Sequence, residues 1–250
     1  MRISKPWHFG PGILLVVALA TGCAVTPPLA PQTRVATIQN RVTDVFTNAV
    51  LFKPKDSGLD QPLAVQLAPL LIWDASAPPP EAARALTVQA GITLLNNRWH
   101  RQFTYRWDDQ GFRVTLDSAD APVIWEILHD STGAGVIYVA QSLELAALRE
   151  FGPALPSRKF SVERSLAESP DIVVANVIAD GPVPMGPILY LQARNRDVTA
   201  LICRCMPAQF KNLLATQEYE LRQPDPPGTS PGKSFPAKPL DQRLRLPRQF

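Results

Sequence analysis

Residues 102–117 of this 250-residue chain give the clearest indication of its fold, and they read QFTYRWDDQGFRVTLD. On both sides of the central DDQG, every second residue is aromatic or aliphatic: Phe103, Tyr105, Trp107, Phe112, Val114 and Leu116. Such alternation gives a strand one apolar face for a core and one polar face for water. Two alternating runs joined by a short Asp/Gly loop predict an antiparallel β-hairpin.

Shorter apolar runs on either side of this hairpin predict further strands. Residues 123–128 and 136–141 flank a glycine-containing loop and predict a second hairpin. Residues 63–74 contain Pro69, which predicts two short strands or one broken edge strand. The other predicted strands are 160–164, 172–178, 188–194, 198–206 and 219–221.

Three segments predict helices, and residues 81–88 could form a further short one. Residues 33–51 have apolar side chains at helical spacing, with Thr33 as a suitable N-cap. Residues 142–151 predict a helix that is capped by Ser142 and ends before Gly152. Residues 207–216 begin with a proline, which suits the first helical position.

These elements predict a single α+β domain over residues 33–222, with a mainly antiparallel sheet and two or three helices. The regular strand–helix alternation of a doubly wound fold is absent from the sequence. Apolar residues make up 46 % of the chain, which is enough for a hydrophobic core. Residues 223–250 contain seven prolines and several basic residues, and this composition predicts a disordered tail.

The N-terminus has the pattern of an export signal. Arg2 and Lys5 precede the apolar run ILLVVALA at residues 13–20, which is too short to span a bilayer. The next residues lead to Cys23 in the stretch LATGC, which resembles the lipobox of bacterial lipoproteins. One departure from that pattern is Ala20, which stands where the family prefers leucine.

The lipobox resemblance implies a lipid anchor. It implies that residues 1–22 are removed, that the Cys23 thiol carries diacylglycerol and that the new amine is acylated, which together give stable anchoring. In Gram-negative lipoproteins an aspartate after the cysteine favours inner-membrane retention, so Ala24 favours the outer membrane with the domain facing the periplasm. Residues 23–32 contain three prolines and predict a short tether.

A Cys-x-Cys pair near the end of the chain is the most specific candidate for chemistry. If residues 198–206 form a strand, Cys203 and Cys205 lie on one face, and Met206 follows them. Two thiolates and a thioether would suit Cu(I), so these three residues are candidate metal ligands. The alternatives are a disulfide, for which an extended strand is a poor geometry, and two buried cysteines that act as small apolar side chains.

The sequence excludes several classes of function. His129, Asp130 and Ser131 are consecutive and cannot adopt the geometry of a catalytic triad. The chain has no phosphate-binding loop, dinucleotide fingerprint, zinc-protease motif or calcium loop, and no clustered basic face for nucleic acid. Paired carboxylates such as Asp108 and Asp109 suit hairpin turns better than a glycosidase site. Residues 181–187 (GPVPMGP) suit a binding loop or, more readily, a structural crossover.

The sequence therefore predicts a lipid-anchored envelope protein with a non-catalytic binding or accessory role and no cofactor. Its expected contacts are the membrane, through Cys23, and another envelope protein. The alternatives are a thiol- or soft-metal-dependent protein that uses Cys203, Cys205 and Met206, or a cell-wall hydrolase.

Overall fold

The structure is a computed structural model. It describes residues 33–41, 46–55, 61–79, 84–223 and 239–250, all of which belong to one compact unit over 32–250. The predicted signal segment, Cys23 and its tether lie outside the described residues, as do residues 224–238 of the predicted tail.

The described residues contain eleven strands and four short helices. The strands are β1 (Phe46–Pro54), β2 (Leu70–Asp74), β3 (Ala85–Leu95), β4 (Arg98–Trp107), β5 (Gln110–Leu116), β6 (Pro122–Ile127), β7 (Gly135–Ala140), β8 (Ile172–Ile178), β9 (Ile188–Leu191), β10 (Val198–Ile202) and β11 (Phe210–Arg222). The helices are α1 (Arg34–Gln39), α2 (Leu63–Gln66), α3 (Gln141–Phe151) and α4 (Leu240–Arg243).

All eleven strands form one mixed sheet in the order β10-β9-β2-β1-β11-β3-β4-β5-β6-β7-β8. Four neighbouring pairs are parallel, namely β1 with β11, β11 with β3, β2 with β9 and β7 with β8. The predicted fold class, a mainly antiparallel α+β domain, is therefore wrong, because the sheet is mixed and strands greatly outnumber helices. Most of the parallel partners are far apart in the sequence, and local alternation carries no information about such pairing.

Both predicted hairpins are confirmed. β4 pairs antiparallel with β5, and β6 pairs antiparallel with β7. Asp108, in the turn between β4 and β5, has a φ of 56°, a left-handed conformation that aspartate adopts more readily than most residues.

A third hairpin, β3–β4, was not predicted. Its strands join at Asn96 and Asn97, which have φ values of 47° and 61°. Two successive left-handed residues give the turn a twist that matches the twist of the paired strands, and asparagine is among the residues that tolerate it.

The predicted helix at 207–216 is wrong throughout, and those at 33–51 and 81–88 are wrong over part of their length, because strands replace them. Among the described residues of 33–51, only α1 is helical, and its N-cap is Thr33 as predicted, since the Thr33 hydroxyl accepts from the Ala36 N–H at 3.2 Å. From Phe46 the chain is β1, residues 85–88 belong to β3, and residues 210–216 belong to β11. β11 pairs with β1 along most of its length, and this cross-strand pairing outweighs the local helical spacing.

Smaller corrections concern the ends of elements. Residues 63–66 form α2 and only residues 70–74 are a strand, while 160–164 form no strand apart from one bridge between Glu163 and Leu244. β9 and β10 end at Leu191 and Ile202 rather than at 194 and 206. α3 begins one residue before Ser142, whose backbone N–H and hydroxyl donate to Asp180 at 3.0 and 2.8 Å.

The predicted disorder of residues 223–250 is wrong for residues 239–250, which we call the C-terminal strap. Leu240, Leu244 and Leu246 of the strap are buried. The Arg245 backbone N–H and Nε donate to the carbonyls of Val162 and Ser161 at 2.8 and 2.7 Å. Proline content predicted disorder, but these buried leucines give the strap enough apolar contact to order it.

Strands β3–β8 have two different faces. One face is apolar and packs into the main core, where Tyr105, Trp107 and Phe112 are fully buried. The opposite face is polar, because cross-strand pairs align Gln102 with Thr115 and Arg113 with Glu126. The C-terminal strap lies on this polar face.

The sheet curls until it nearly closes. Asp197, which precedes edge strand β10, accepts hydrogen bonds from the backbone N–H and hydroxyl of Ser131 at 2.9 and 2.5 Å. Ser131 lies in the loop between β6 and β7, near the other edge of the sheet.

Candidate functional site

A cleft of about 1020 Å³ opens between the polar face of the sheet, the C-terminal strap and the β6–β7 loop. Gln102, Arg113 and Glu126 reach it from β4, β5 and β6, and Arg243 reaches it from the strap. Apolar residues also line the cleft, among them Leu128, Ile137, Ile172 and Leu240. An apolar wall with a few convergent polar groups is typical of a ligand site, and this volume is at the upper end of the range for small-molecule sites.

Arg113 and Arg243 make long polar contacts at the cleft. Arg113 Nη1 lies 3.5 Å from Glu126 Oε2, and Arg243 Nη2 lies 3.5 Å from the carbonyl oxygen of Asp171. Both distances are at the outer limit for a hydrogen bond, whereas strong guanidinium–carboxylate bonds are near 2.7–2.9 Å. Each guanidinium has five N–H donors, so both arginines retain capacity to bind an anion.

The carboxyl group of Glu126 is largely buried, since its side chain is 14 % exposed. Burial raises the pKa of Glu126, and the nearby Arg113 and Arg243 oppose this effect without cancelling it. Glu126 therefore holds its proton at a higher pH than an ordinary glutamate does. In its protonated form it repels a bound anion less and can donate a hydrogen bond.

No family model, no curated protein and no solved structure matches this chain. Its function therefore has to be inferred from its own residues.

A buried ion pair borders the cleft. Arg41 donates from Nη1 and Nη2 to the two carboxylate oxygens of Asp130 at 2.5 and 3.0 Å, and its Nη2 lies 3.7 Å from Asp197. Burial acts to raise the pKa of Asp130, but hydrogen bonds from Arg41 and Thr132 outweigh it, so the pKa of Asp130 is lowered. The carboxylate oxygens of Asp130 are fully used by these partners, which indicates a structural role.

The structure assigns different partners to the three consecutive residues His129, Asp130 and Ser131. Asp130 binds Arg41, and the Ser131 hydroxyl donates to Asp197 at 2.5 Å. His129 is exposed and lines the cleft. Together with Arg41, Ser131 therefore helps to hold the two ends of the sheet together.

The cysteines of the candidate metal site are bonded to each other. Cys203 and Cys205 form a disulfide with Cα atoms 5.2 Å apart. β10 ends at Ile202, and residues 204–206 turn, so the cysteines are closer than the roughly 6.5–7 Å that an extended strand imposes.

A soft-metal site at Cys203, Cys205 and Met206 needs thiolates, and hence reduction of the disulfide, so it stays a prediction. Met206 is exposed. Among the described residues, no group of three or more His, Cys, Asp or Glu side chains could hold a metal ion.

The loop at residues 181–187 packs against the end of α2, which favours the structural crossover. The Gly186 N–H donates to the Gln66 carbonyl at 2.8 Å. Nearby, the hydroxyls of Tyr105 and Tyr219 donate to the carbonyls of Ala64 and Pro69, each at 2.6 Å. Arg204 donates to the Ala68 carbonyl, so the buried carbonyls that follow α2 are satisfied.

The residues of the cleft are not among the site residues that the sequence predicts. Glu126 could have been found, since it is a single charge within the apolar strand VIWEIL, and buried charges are rarely without purpose. The alternation around β5 already placed Arg113 on a polar face. Arg243 could not have been found, because its segment was predicted to be disordered.

The predicted lipidation site, Cys23, lies outside the described residues and stays a prediction. None of the helices in the described ranges is long and apolar enough to cross a membrane.

Proposed function

We propose that this chain is a lipid-anchored protein of the bacterial envelope that binds an amphiphilic small molecule with an anionic head group and does no chemistry on it. Acylated Cys23 holds it on the periplasmic face of the outer membrane. The resemblance of residues 19–23 to a lipobox supports the anchor. The observation that carries the binding role is the cleft of about 1020 Å³ with two weakly engaged arginines among apolar walls.

The apolar part of the ligand follows from the walls of the cleft. Ile137 and Ile172 come from neighbouring strands, and Leu240 comes from the strap on the other side. These three side chains are at most 8 % exposed, so a hydrocarbon chain in the cleft would be stabilised mainly by dispersion contacts with the apolar wall.

The anionic head group follows from the cations. Arg113 and Arg243 both lie near Glu126, and Arg34 adds a third positive charge to the lining of the cleft. A carboxylate or phosphate accepts two parallel hydrogen bonds from a guanidinium. Glu126 lies beside both arginines, and its raised pKa limits the repulsion between its carboxyl and the incoming anion.

Titration with a dansyl-labelled fatty acid tests this function. Full-length protein is kept in an amphipathic polymer, so that no free detergent competes for the cleft. We expect saturable binding that Arg113→Gln and Arg243→Gln each weaken about tenfold or more, since a hydrogen bond to a charged group contributes about 1.5–3 kcal/mol.

Arg196→Gln is the matched control, because Arg196 forms an exposed ion pair with Asp108 and does not line the cleft. It should leave the affinity unchanged. The proposal fails if the probe does not saturate, or if the three variants bind it equally well.

A cell-wall hydrolase is the second candidate, and only Glu126 gives it support. A buried carboxyl with a raised pKa in a cleft is a suitable general acid. Such an enzyme would release reducing ends from purified peptidoglycan, and Glu126→Gln would abolish the release. Absence of release by the unaltered protein removes this candidate.

A further inference from the structure

The β3–β4 hairpin extends beyond its neighbour β5 as a two-stranded arm. β5 pairs with β4 only as far as Gln102, opposite Thr115, whereas β3 and β4 continue to pair as far as Leu95 and Arg98. Residues 92–101 therefore pair with one another and not with β5, and we call them the outer arm.

One face of the outer arm is exposed and largely apolar, and its charged member, Arg101, is paired with Asp120. Leu94 is paired directly with Trp99, and Ile92 lies two residues from Leu94 on the same face. The exposed fractions of Ile92, Leu94 and Trp99 are 66 %, 44 % and 69 %. Soluble domains rarely cluster large apolar side chains at the surface unless the cluster meets a partner or a membrane.

The opposite face of the outer arm is fixed by the C-terminal strap. The Asn96 side-chain amide donates to the carbonyls of Leu246 and Pro247, each at 2.9 Å. The ring of Phe250 stacks on His100. An arm that is already ordered loses little conformational entropy when its exposed face binds.

The outer arm and the beginning of the domain meet at the same cleft. Thr93, on the strap-facing side of the outer arm, lines the cleft, and so does Arg34, the first residue of α1. Nine residues, 24–32, separate Thr33 from the lipidation site, and the ten chain steps between Cys23 and Thr33 span at most about 33–36 Å. A lipid anchor on Cys23 would therefore keep the outer arm near the membrane surface.

We propose that the outer arm inserts its apolar face into the interfacial region of the anchoring membrane and admits amphiphiles from it to the cleft. Trp99 then lies among the lipid head groups, where its apolar ring and its N–H are both accommodated. Arg98, exposed next to Trp99, attracts anionic head groups. This inference rests on the proposed lipid anchor and on the proposed ligand class.

Fluorescence quenching by lipid tests the insertion. Full-length lipidated protein is reconstituted into vesicles of phosphatidylethanolamine and phosphatidylglycerol with ordinary or brominated acyl chains. Trp73, Trp107 and Trp125 are buried, so the difference between the unaltered protein and Trp99→Phe isolates the emission of Trp99. We expect brominated chains to quench most of that emission.

Two outcomes overturn the proposal. In the first, Trp99 emits equally in brominated and ordinary vesicles. In the second, brominated acyl chains do not quench the emission of Trp99, but the emission changes with protein concentration. That result would indicate that the exposed face is an interface between copies of this chain.

Transfer of the dansyl-labelled fatty acid from the same vesicles tests the link to the cleft. The double variant Ile92→Gln/Trp99→Gln should take up the probe about tenfold more slowly, since it withdraws two large apolar side chains from the membrane. The matched control Leu166→Gln/Leu214→Gln changes two leucines that are comparably exposed elsewhere, and it should transfer at the normal rate.

Binding in the amphipathic polymer separates the two hypotheses. Neither Ile92 nor Trp99 lines the cleft, so the double variant should keep its equilibrium affinity for the probe. If the double variant and the unaltered protein transfer the probe at equal rates and bind it with equal affinity, the membrane contact of the outer arm is overturned and the proposed ligand class is not. Failure of the unaltered protein to bind the probe would contradict the ligand class and, with it, the role of the outer arm in transfer.

Discussion

Phe250 stacks its ring on the imidazole of His100, with centroids 4.6 Å apart and planes inclined by 10°. His100 is buried, and its Nδ1 donates to the Leu116 carbonyl at 2.9 Å. The contact attaches the end of the C-terminal strap to the base of the outer arm. One segment therefore forms a wall of the cleft and also fixes the hairpin beside it.

Leu244→Ala tests whether the C-terminal strap is an integral part of the domain. Leu244 is 1 % exposed, so truncation leaves a cavity and should lower the free energy of unfolding by about 2–5 kcal/mol. Urea unfolding followed by circular dichroism measures this. Leu166→Ala, at a residue that is 63 % exposed, is the control and should stay within about 0.5 kcal/mol. Equal stability of the two variants would mean that the strap is only loosely attached.

Asp130→Asn tests the buried ion pair with Arg41. The side chain of Asp130 is fully buried and that of Arg41 is 13 % exposed, so loss of the carboxylate should cost about 3–5 kcal/mol at pH 7. The pKa of Asp130 is lowered in the folded state, so its contribution is present above the ordinary aspartate pKa and is lost as pH falls through the lowered value.

The difference in unfolding free energy between the unaltered protein and Asp130→Asn should therefore shrink as the pH falls below about 4. Asp108→Asn, in the exposed pair with Arg196, provides the comparison and should cost at most about 1 kcal/mol. A difference for Asp130→Asn that does not depend on pH would show that the carboxylate charge is not what stabilises the site.

Local alternation was sufficient for β4 and β5, because these strands pair with their neighbours in sequence and each shows one face to the core. It failed for β11, where Leu213 and Leu214 are both exposed and the strand is specified by its long-range pairing with β1. It also failed for β3, although Asn96 and Asn97 between two short runs are a recognisable hairpin turn.

The candidate site was predictable only in part, and for similar reasons. The alternation placed Arg113 on a polar face, and the isolated charge of Glu126 marked an unusual strand. What made them a site was the C-terminal strap, which crosses that face and adds Arg243. The fifteen residues 224–238, which precede the strap, are rich in proline and predicted disorder for the whole tail. The ordered leucines that follow them were therefore not predicted.

Thiol labelling tests the link between Cys203 and Cys205. Maleimide should label neither cysteine before reduction and both after it, and mass spectrometry of the tryptic fragments counts the added groups. Cu(I) should bind only to the reduced protein, because a soft metal requires thiolates. Labelling of both cysteines without a reductant would show free thiols, and would return the site at Cys203, Cys205 and Met206 to the candidate functions.

Gly186→Ala tests the fit between the 181–187 loop and α2, with Gly91→Ala as the matched control. A Cβ at Gly186 would lie 2.2 Å from the Ala68 carbonyl oxygen and 2.4 Å from that of Leu67, and backbone atoms cannot move aside as a flexible side chain can. We expect a loss of about 1–3 kcal/mol or a failure to fold.

Gly91 lies within β3, and a Cβ there would meet no atom within 4 Å. Alanine should instead stabilise the protein there by about 0.5–1 kcal/mol, because it reduces the conformational freedom of the unfolded chain. Thermal and urea unfolding measure the change in stability that each variant causes. A loss for Gly186→Ala and a gain for Gly91→Ala would establish that close packing requires glycine at position 186. If Gly186→Ala is as stable as Gly91→Ala, the loop does not lie against the carbonyls of Leu67 and Ala68, and the crossover between β8 and β9 must follow a different path.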